Sequence, residues 1–311
     1  MTWRFLCPQE QNSCPSTLRP TSLNRSPRTT SKPELGEILV FTDNRSEAAT
    51  ILEFAGLLAK ENHARLINVL IDPAPAVTPP QTFARGTGIQ HVIETHQAQL
   101  DSIERRQRAR FDDVVRRHGI QQAEWRSLSH WSTEVAVQAY YADLVLIARP
   151  DPPSQASAPS GLAESLILSS GRPIILFPQN HTESRVRRIL VGWSATREAI
   201  RAVVDALPLL ARAEAVRVLI VDYEQQRERH GQKPGADIER RLSALGPQVE
   251  VQRLSSGGQS AGKLLLAQAG AFRADLLVMG AYGHSSMREW LFGGVTRAVL
   301  YEAGLPVLMS R

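Results

Sequence analysis

Cysteine is almost absent from this chain of 311 residues: it has two, Cys7 and Cys14, and their spacing fits neither a CxxC redox pair nor a zinc knuckle. A disulfide framework is therefore excluded as the source of its order. No apolar run approaches the roughly 20 residues that a membrane-spanning helix needs. The start, Met1 to Pro8, carries one basic residue and an apolar patch too short for a secretory signal, so a cytoplasmic location is expected. The eight histidines form no HExxH or comparable pair. His91 and His96 stand five apart on an expected helix, off the spacing that shares a face, and read as solvated surface. Strong charge of one sign is lacking too. The net charge is +5, but Arg4, Arg19, Arg25, Arg28 and Lys32, against Glu10 and Glu34, place most of it in residues 1–34. What remains is close to neutral and gives little support to a nucleic-acid surface.

What is present is 42% hydrophobic and 22% charged residues, material for two globular domains each with its own core. Residues 1–34, rich in Ser, Thr, Pro and Arg without an apolar period, are expected to form a disordered basic tail. From Glu37 the texture alternates. Strands are predicted at Ile38–Phe41, Leu66–Ile71, Glu124–Leu128, Leu144–Ala148 and Ile174–Phe177. Helices are predicted at Ser46–Asn62, Gln90–Arg117, Thr133–Tyr141 and Leu162–Ser169, with a proline-rich loop, Pro73 to Pro80, between the second strand and the long helix. Alternation of this kind argues for a parallel sheet covered by helices on both faces.

The series then repeats. Ile189-Leu190-Val191 answers Ile38-Leu39-Val40, Ala274-Asp275-Leu276 answers Ala142-Asp143-Leu144, and Gly304-Leu305-Pro306-Val307 answers Gly171-Arg172-Pro173-Ile174. The expected domains are residues 35–179 and 187–311, joined by a polar linker, Gln179 to Ser184. In the second copy, strands are expected at Val216–Val221, Val249–Leu254 and Leu276–Met279. Its helices are expected at Arg197–Ala211, kinked or divided by Pro208, at Ala261–Ala271 and at Val295–Glu302.

The most informative stretch runs from Ala274 to Met309. Its strand breaks at Gly280 and Gly283, a mostly polar helix-like segment follows, and Gly293-Gly294 opens the last helix. Glycines where strands give way to helices let backbone N–H groups approach an anion that the helix dipole also favours. With these residues in hand, the chain resembles a tandem universal stress protein, a family of doubly wound α/β domains, some of which bind ATP. The resemblance implies two five-stranded parallel sheets of order 3-2-1-4-5, an adenine-nucleotide alpha-hydrolase-like fold. The family's G-x2-G-x9-G signature is met by Gly280, Gly283 and Gly293, while Gly294 replaces the Ser or Thr that should follow. Ser194 stands where the family often has an Asp, present in the first copy as Asp43. There Gly280 and Gly283 correspond to Ala148 and Asp151, among Pro150, Pro152 and Pro153, so the first copy is expected to be degenerate.

The resemblance sets the second copy's site at the switch point between its first and fourth strands. The expected nucleotide-binding residues are Trp193, Ser194, Val221, Met279, Gly280, Gly283, His284, Ser285, Gly293, Gly294, Val295 and Thr296. ATP or a related adenine nucleotide is the expected ligand, with Mg²⁺ carried on the phosphates. No well-placed carboxylate or His activates water, so a non-catalytic, nucleotide-responsive stress protein is expected. Two alternatives stay open. Gly257-x4-Gly262-Lys263 matches a Walker A loop, although Leu264 stands where a Mg²⁺-binding Ser or Thr belongs, and would make the chain an NTPase. Or the chain is a ligand-free scaffold whose terminal strands, Ile174–Phe177 and Val307–Met309, pair the copies or join two chains in a homodimer.

Overall fold

The computed structural model describes residues 33–71, 87–128, 135–150, 161–179, 181–182, 185–282 and 294–311, without the side chains of residues 87–89, 225, 226 and 230. Residues 1–32 of the predicted tail, the loop Pro73 to Pro80 and the segment from Gly283 to Gly293 thus lie outside the described residues. So do Asn180, Glu183 and Ser184 of the linker.

The first half runs β1 (Glu37–Thr42), α1 (Glu47–Asn62), β2 (Arg65–Ile71), α2 (Thr87–His118), β3 (Ala123–Leu128), a 3-10 turn (Ala136–Tyr141), β4 (Leu144–Ala148), α3 (Leu162–Ser169) and β5 (Ile174–Phe177). The second half follows with β6 (Arg188–Gly192), α4 (Arg197–Asp205), α5 (Leu207–Leu210) and β7 (Ala215–Val221). A 3-10 turn (Tyr223–Gln226), α6 (Arg227–His230), α7 (Ala236–Ser243) and β8 (Gln248–Leu254) lead to α8 (Ala261–Phe272), β9 (Leu276–Gly280), α9 (Gly294–Glu302) and β10 (Val307–Ser310). Pro208 divides the predicted Arg197–Ala211 helix as its lost N–H requires, and sits in the first turn of α5. The helix predicted from Thr133 is, over its described part, a 3-10 turn that begins at Ala136. Helix α7, with Ile238 and Leu242 buried, was not predicted; its charged residues, half of the helix, hide a two-residue apolar stripe.

Strand order is 3-2-1-4-5 in the first half and 8-7-6-9-10 in the second, as expected, and all pairs within each half are parallel. The two are not separate sheets. Antiparallel pairs Val307↔Leu176, Leu308↔Ile175 and Met309↔Ile174 join them into one ten-stranded sheet. Of the two pairings left open for these strands, the intramolecular one is present, and because β5 and β10 are paired on both sides, neither leaves an edge for the alternative, a homodimer through them. The free edges are β3 and β8.

Alternation along each strand divides the core into two layers. Ile38, Val40, Ile189 and Val191 pack with α1, α2, α4 and α7 on one face. Leu39, Leu277 and Met279 pack with α3, α8 and α9 on the other. Strand interiors read as continuous Val/Ile/Leu runs because both faces are covered. Among the described residues no helix is long and apolar enough to cross a membrane.

Candidate functional site

The carboxyl ends of β6 and β9 meet at the second half's switch point. Register pairs Gly192 with Met279, so the chain leaving β6 at Trp193 runs beside Gly280. The turns that leave β6 and β9 shape this place. Trp193 N–H bonds the Leu219 carbonyl at 2.9 Å, which carries the β6 ladder one residue further. The Ser194 and Thr196 hydroxyls lie 3.2 Å apart, and Thr196 caps α4 by accepting the Ala199 N–H at 3.3 Å. Ala195, between them, adopts φ 52°. After β9, Tyr282 adopts φ 58°, and its N–H donates to Thr296 Oγ1 in the first turn of α9 at 3.3 Å.

These contacts sort the expected site residues. Trp193, Ser194, Met279, Gly280 and Thr296 come together around the ends of β6 and β9, with Gly294 and Val295 opening α9 beside them. Val221 lies at the end of β7 and packs in the same layer as Met279 and Val295. Trp193 packs in the opposite layer, with α4, so it serves the core on that side. Thr296 is only 4% exposed, and its hydroxyl closes the connection between β9 and α9. Gly283, His284, Ser285 and Gly293 lie outside the described residues.

Gly280 has a packing task of its own. A Cβ there would stand 2.5 Å from Ala199 N and 2.5 Å from the Glu198 carbonyl carbon, so only glycine lets the first turn of α4 approach this closely. Gly294 is the reverse case: among the described residues a Cβ would meet nothing within 4 Å. Glu198, in that first turn, is buried. Burial opposes its charge, but hydrogen bonds from Arg197, its own N–H and Thr196 outweigh it and hold the carboxyl below its usual value.

The Walker A-like loop is built differently. Ser256 N–H donates to Asp222 Oδ1 at 2.7 Å, and this bond, with those from the Ser256 and Ser255 hydroxyls, holds the Asp222 carboxyl below its ordinary value. A carboxylate thus takes an N–H that a phosphate cradle would offer, and repels a phosphate. Gly262 faces α9, where a Cβ would stand 2.9 Å from Ala298 Cβ, and it serves helix packing. Lys263 is exposed.

The first half's switch point is closed by residues that sequence reasoning did not single out. Arg45 Nε bonds Asp43 Oδ2 at 2.6 Å, and Arg45 Nη1 bonds the Arg149 carbonyl at 3.0 Å. The buried Gln107 donates to the Asp43 carbonyl at 2.9 Å. A guanidinium therefore bridges the ends of β1 and β4, where a ligand would sit. The Asp43-x-Arg45 spacing was the available sign. Among the described residues no group of three or more His, Cys, Asp and Glu side chains could hold a metal ion.

Residues 185–311 match the model of the Universal stress protein family. Among solved structures, a universal stress protein from Archaeoglobus fulgidus DSM 4304 aligns at TM-score 0.60 and 17% identity, covering 88% of this chain and 98% of that one. A putative universal stress protein from Pseudomonas aeruginosa UCBPP-PA14 aligns at 0.57 and 15%, covering 89% and 93%. At such identities the likeness establishes the fold of nearly the whole chain. Among curated proteins none matches.

Proposed function

We propose that this chain, whose residues 185–311 form a universal stress protein domain, binds ATP or a related adenine nucleotide in its second half and acts as a non-catalytic, nucleotide-responsive stress protein. The observation that carries the reading is the state of the two switch points. In the first half an arginine fills the ends of β1 and β4; in the second the position answering that arginine is Thr196, whose neutral hydroxyl lies beside that of Ser194. The spacing Gly280-x2-Gly283-x9-Gly293, set between β9 and the nine-residue α9, supports the phosphate side. Backbone N–H groups around Gly283, Gly293 and Gly294 would take the phosphates at the positive end of that helix. Mg²⁺, carried on the phosphates, would neutralise their charge. Among the described residues Glu198 is the acidic side chain bound to this turn, and it is paired with Arg197, so fast hydrolysis is not expected.

Calorimetric titration of the whole chain with MgATP tests this. One site per chain is expected, and Gly283→Asp, which sets a carboxylate in the phosphate path, abolishes it. Absence of binding in the wild type, or unchanged binding in Gly283→Asp, overturns the reading.

A further inference from the structure

Helix α9 is tied to the first half at its far end. Tyr301 OH donates to Glu164 Oε1 at 2.8 Å, from the last turn of α9 to the first turn of α3. Arg149 Nη1 donates to the Ala303 carbonyl at 2.7 Å, satisfying an acceptor that the end of α9 leaves over. At its near end, Thr296 holds the Tyr282 N–H. The carbonyl of the same Arg149 is held by Arg45, so the group that closes the first switch point also anchors the arginine reaching across.

Glu164 is only 8% exposed, and its Oε2 has no hydrogen-bond partner among the described residues. Burying a carboxylate so incompletely satisfied is costly, and a leucine would pack there at less expense. Burial and then Glu164 push the Tyr282 phenol up; burial, then the bond to Glu164, push Tyr301 up to about 12. Both phenols thus stay neutral near one carboxylate, to which Tyr301 donates. Repeat symmetry does not require the arrangement: Glu164 answers Arg297, Tyr301 answers Leu168 and Tyr282 answers Pro150.

We propose that Glu164 and Arg149 of the first half are positioning residues for the second half's nucleotide site, bracing α9 through Tyr301 and the Ala303 carbonyl so that its first turn is held against the end of β9. This rests on the nucleotide reading above. The first half, its own switch point closed, keeps a function in setting the geometry of the other.

The test uses the full chain and two measurements. Amide hydrogen exchange without ligand reads the brace; MgATP titration reads the site. In Tyr301→Phe and Glu164→Leu, exchange at the amides of residues 296–300 rises about tenfold while α1 and β2 keep their wild-type rates. MgATP dissociation constants rise about fivefold, the factor one lost hydrogen bond supports. Glu164→Gln, which keeps the acceptor for Tyr301, restores both. Unchanged exchange in both variants, exchange that rises equally in α1, or an affinity identical to wild type in Tyr301→Phe overturns the proposal. Absence of MgATP binding in the wild type overturns the nucleotide reading alone; the exchange response then still decides whether the brace exists.

Discussion

Two halves built from one repeat differ most where their first and fourth strands end. Asp43 and Arg45 in the first half answer Ser194 and Thr196 in the second; Ala148, Arg149 and Pro150 answer Gly280, Ala281 and Tyr282. The first set forms an ion pair and a long cation that leaves its own switch point for the neighbouring half. The second set is small and neutral on β6, and on β9 offers a glycine and a tyrosine in the left-handed region. Duplication thus preserved the sheet, which depends on aliphatic runs, while the strand ends diverged. A fold tolerates such changes because loop residues at the sheet's ends contribute little to its core.

The contrast can be broken most forcefully at Gly280. Gly280→Ala should destabilise the chain by roughly 2 kcal/mol through the clash with α4. The answering Ala148→Gly should cost about 1 kcal/mol or less. Denaturant unfolding of both variants checks this, and equal losses would remove the packing role assigned to Gly280. A sharpening comes from Gly294→Ser. Among the described residues the position has open space, and it has no positive φ, so the hydroxyl that the family signature carries is expected to fit there. MgATP affinity should rise by about three- to tenfold, the effect of one added hydrogen bond, as calorimetry would measure.

Acid probes the same turn of α4. Since the Glu198 carboxyl is held below its ordinary value of 4.5, its charged form stabilises the fold fully above about pH 4.5, and that contribution is lost as pH falls through the folded value. The stability difference between wild type and Glu198→Gln should be flat at neutral pH and shrink in acid. The smallest effect is expected at Lys263. Its side chain is exposed, so Lys263→Ala should change stability by less than about 0.5 kcal/mol and leave MgATP binding unaltered. A large loss of binding there would restore the Walker A reading.

Much of this fold was legible because buried parallel strands announce themselves as short aliphatic runs, and a repeat doubles each such observation. Strand order followed from the family resemblance. The seam between β5 and β10 was foreseen only as one of two options, since an edge strand reads alike whether its partner lies in the same chain or another. Glycine was the least decipherable residue. Gly280 and Gly262 looked like parts of phosphate loops because close approach of an anion and close approach of a helix both demand the absence of Cβ. Arg149, Glu164 and Tyr301 escaped notice for another reason: their contacts join residues 104 and more than 130 apart in sequence, and no local pattern encodes such a pairing.

The two strands left at the margins now carry the question of how large the sheet can become. Glu124 on β3 pairs with Arg126 and Arg65, and Glu250 on β8 pairs with Arg217. Charged rails of this kind discourage another strand from docking. With its cohesive strands joined at the centre and its rims guarded, the ten-stranded sheet is a finished length: it has used up its stickiest edges on itself.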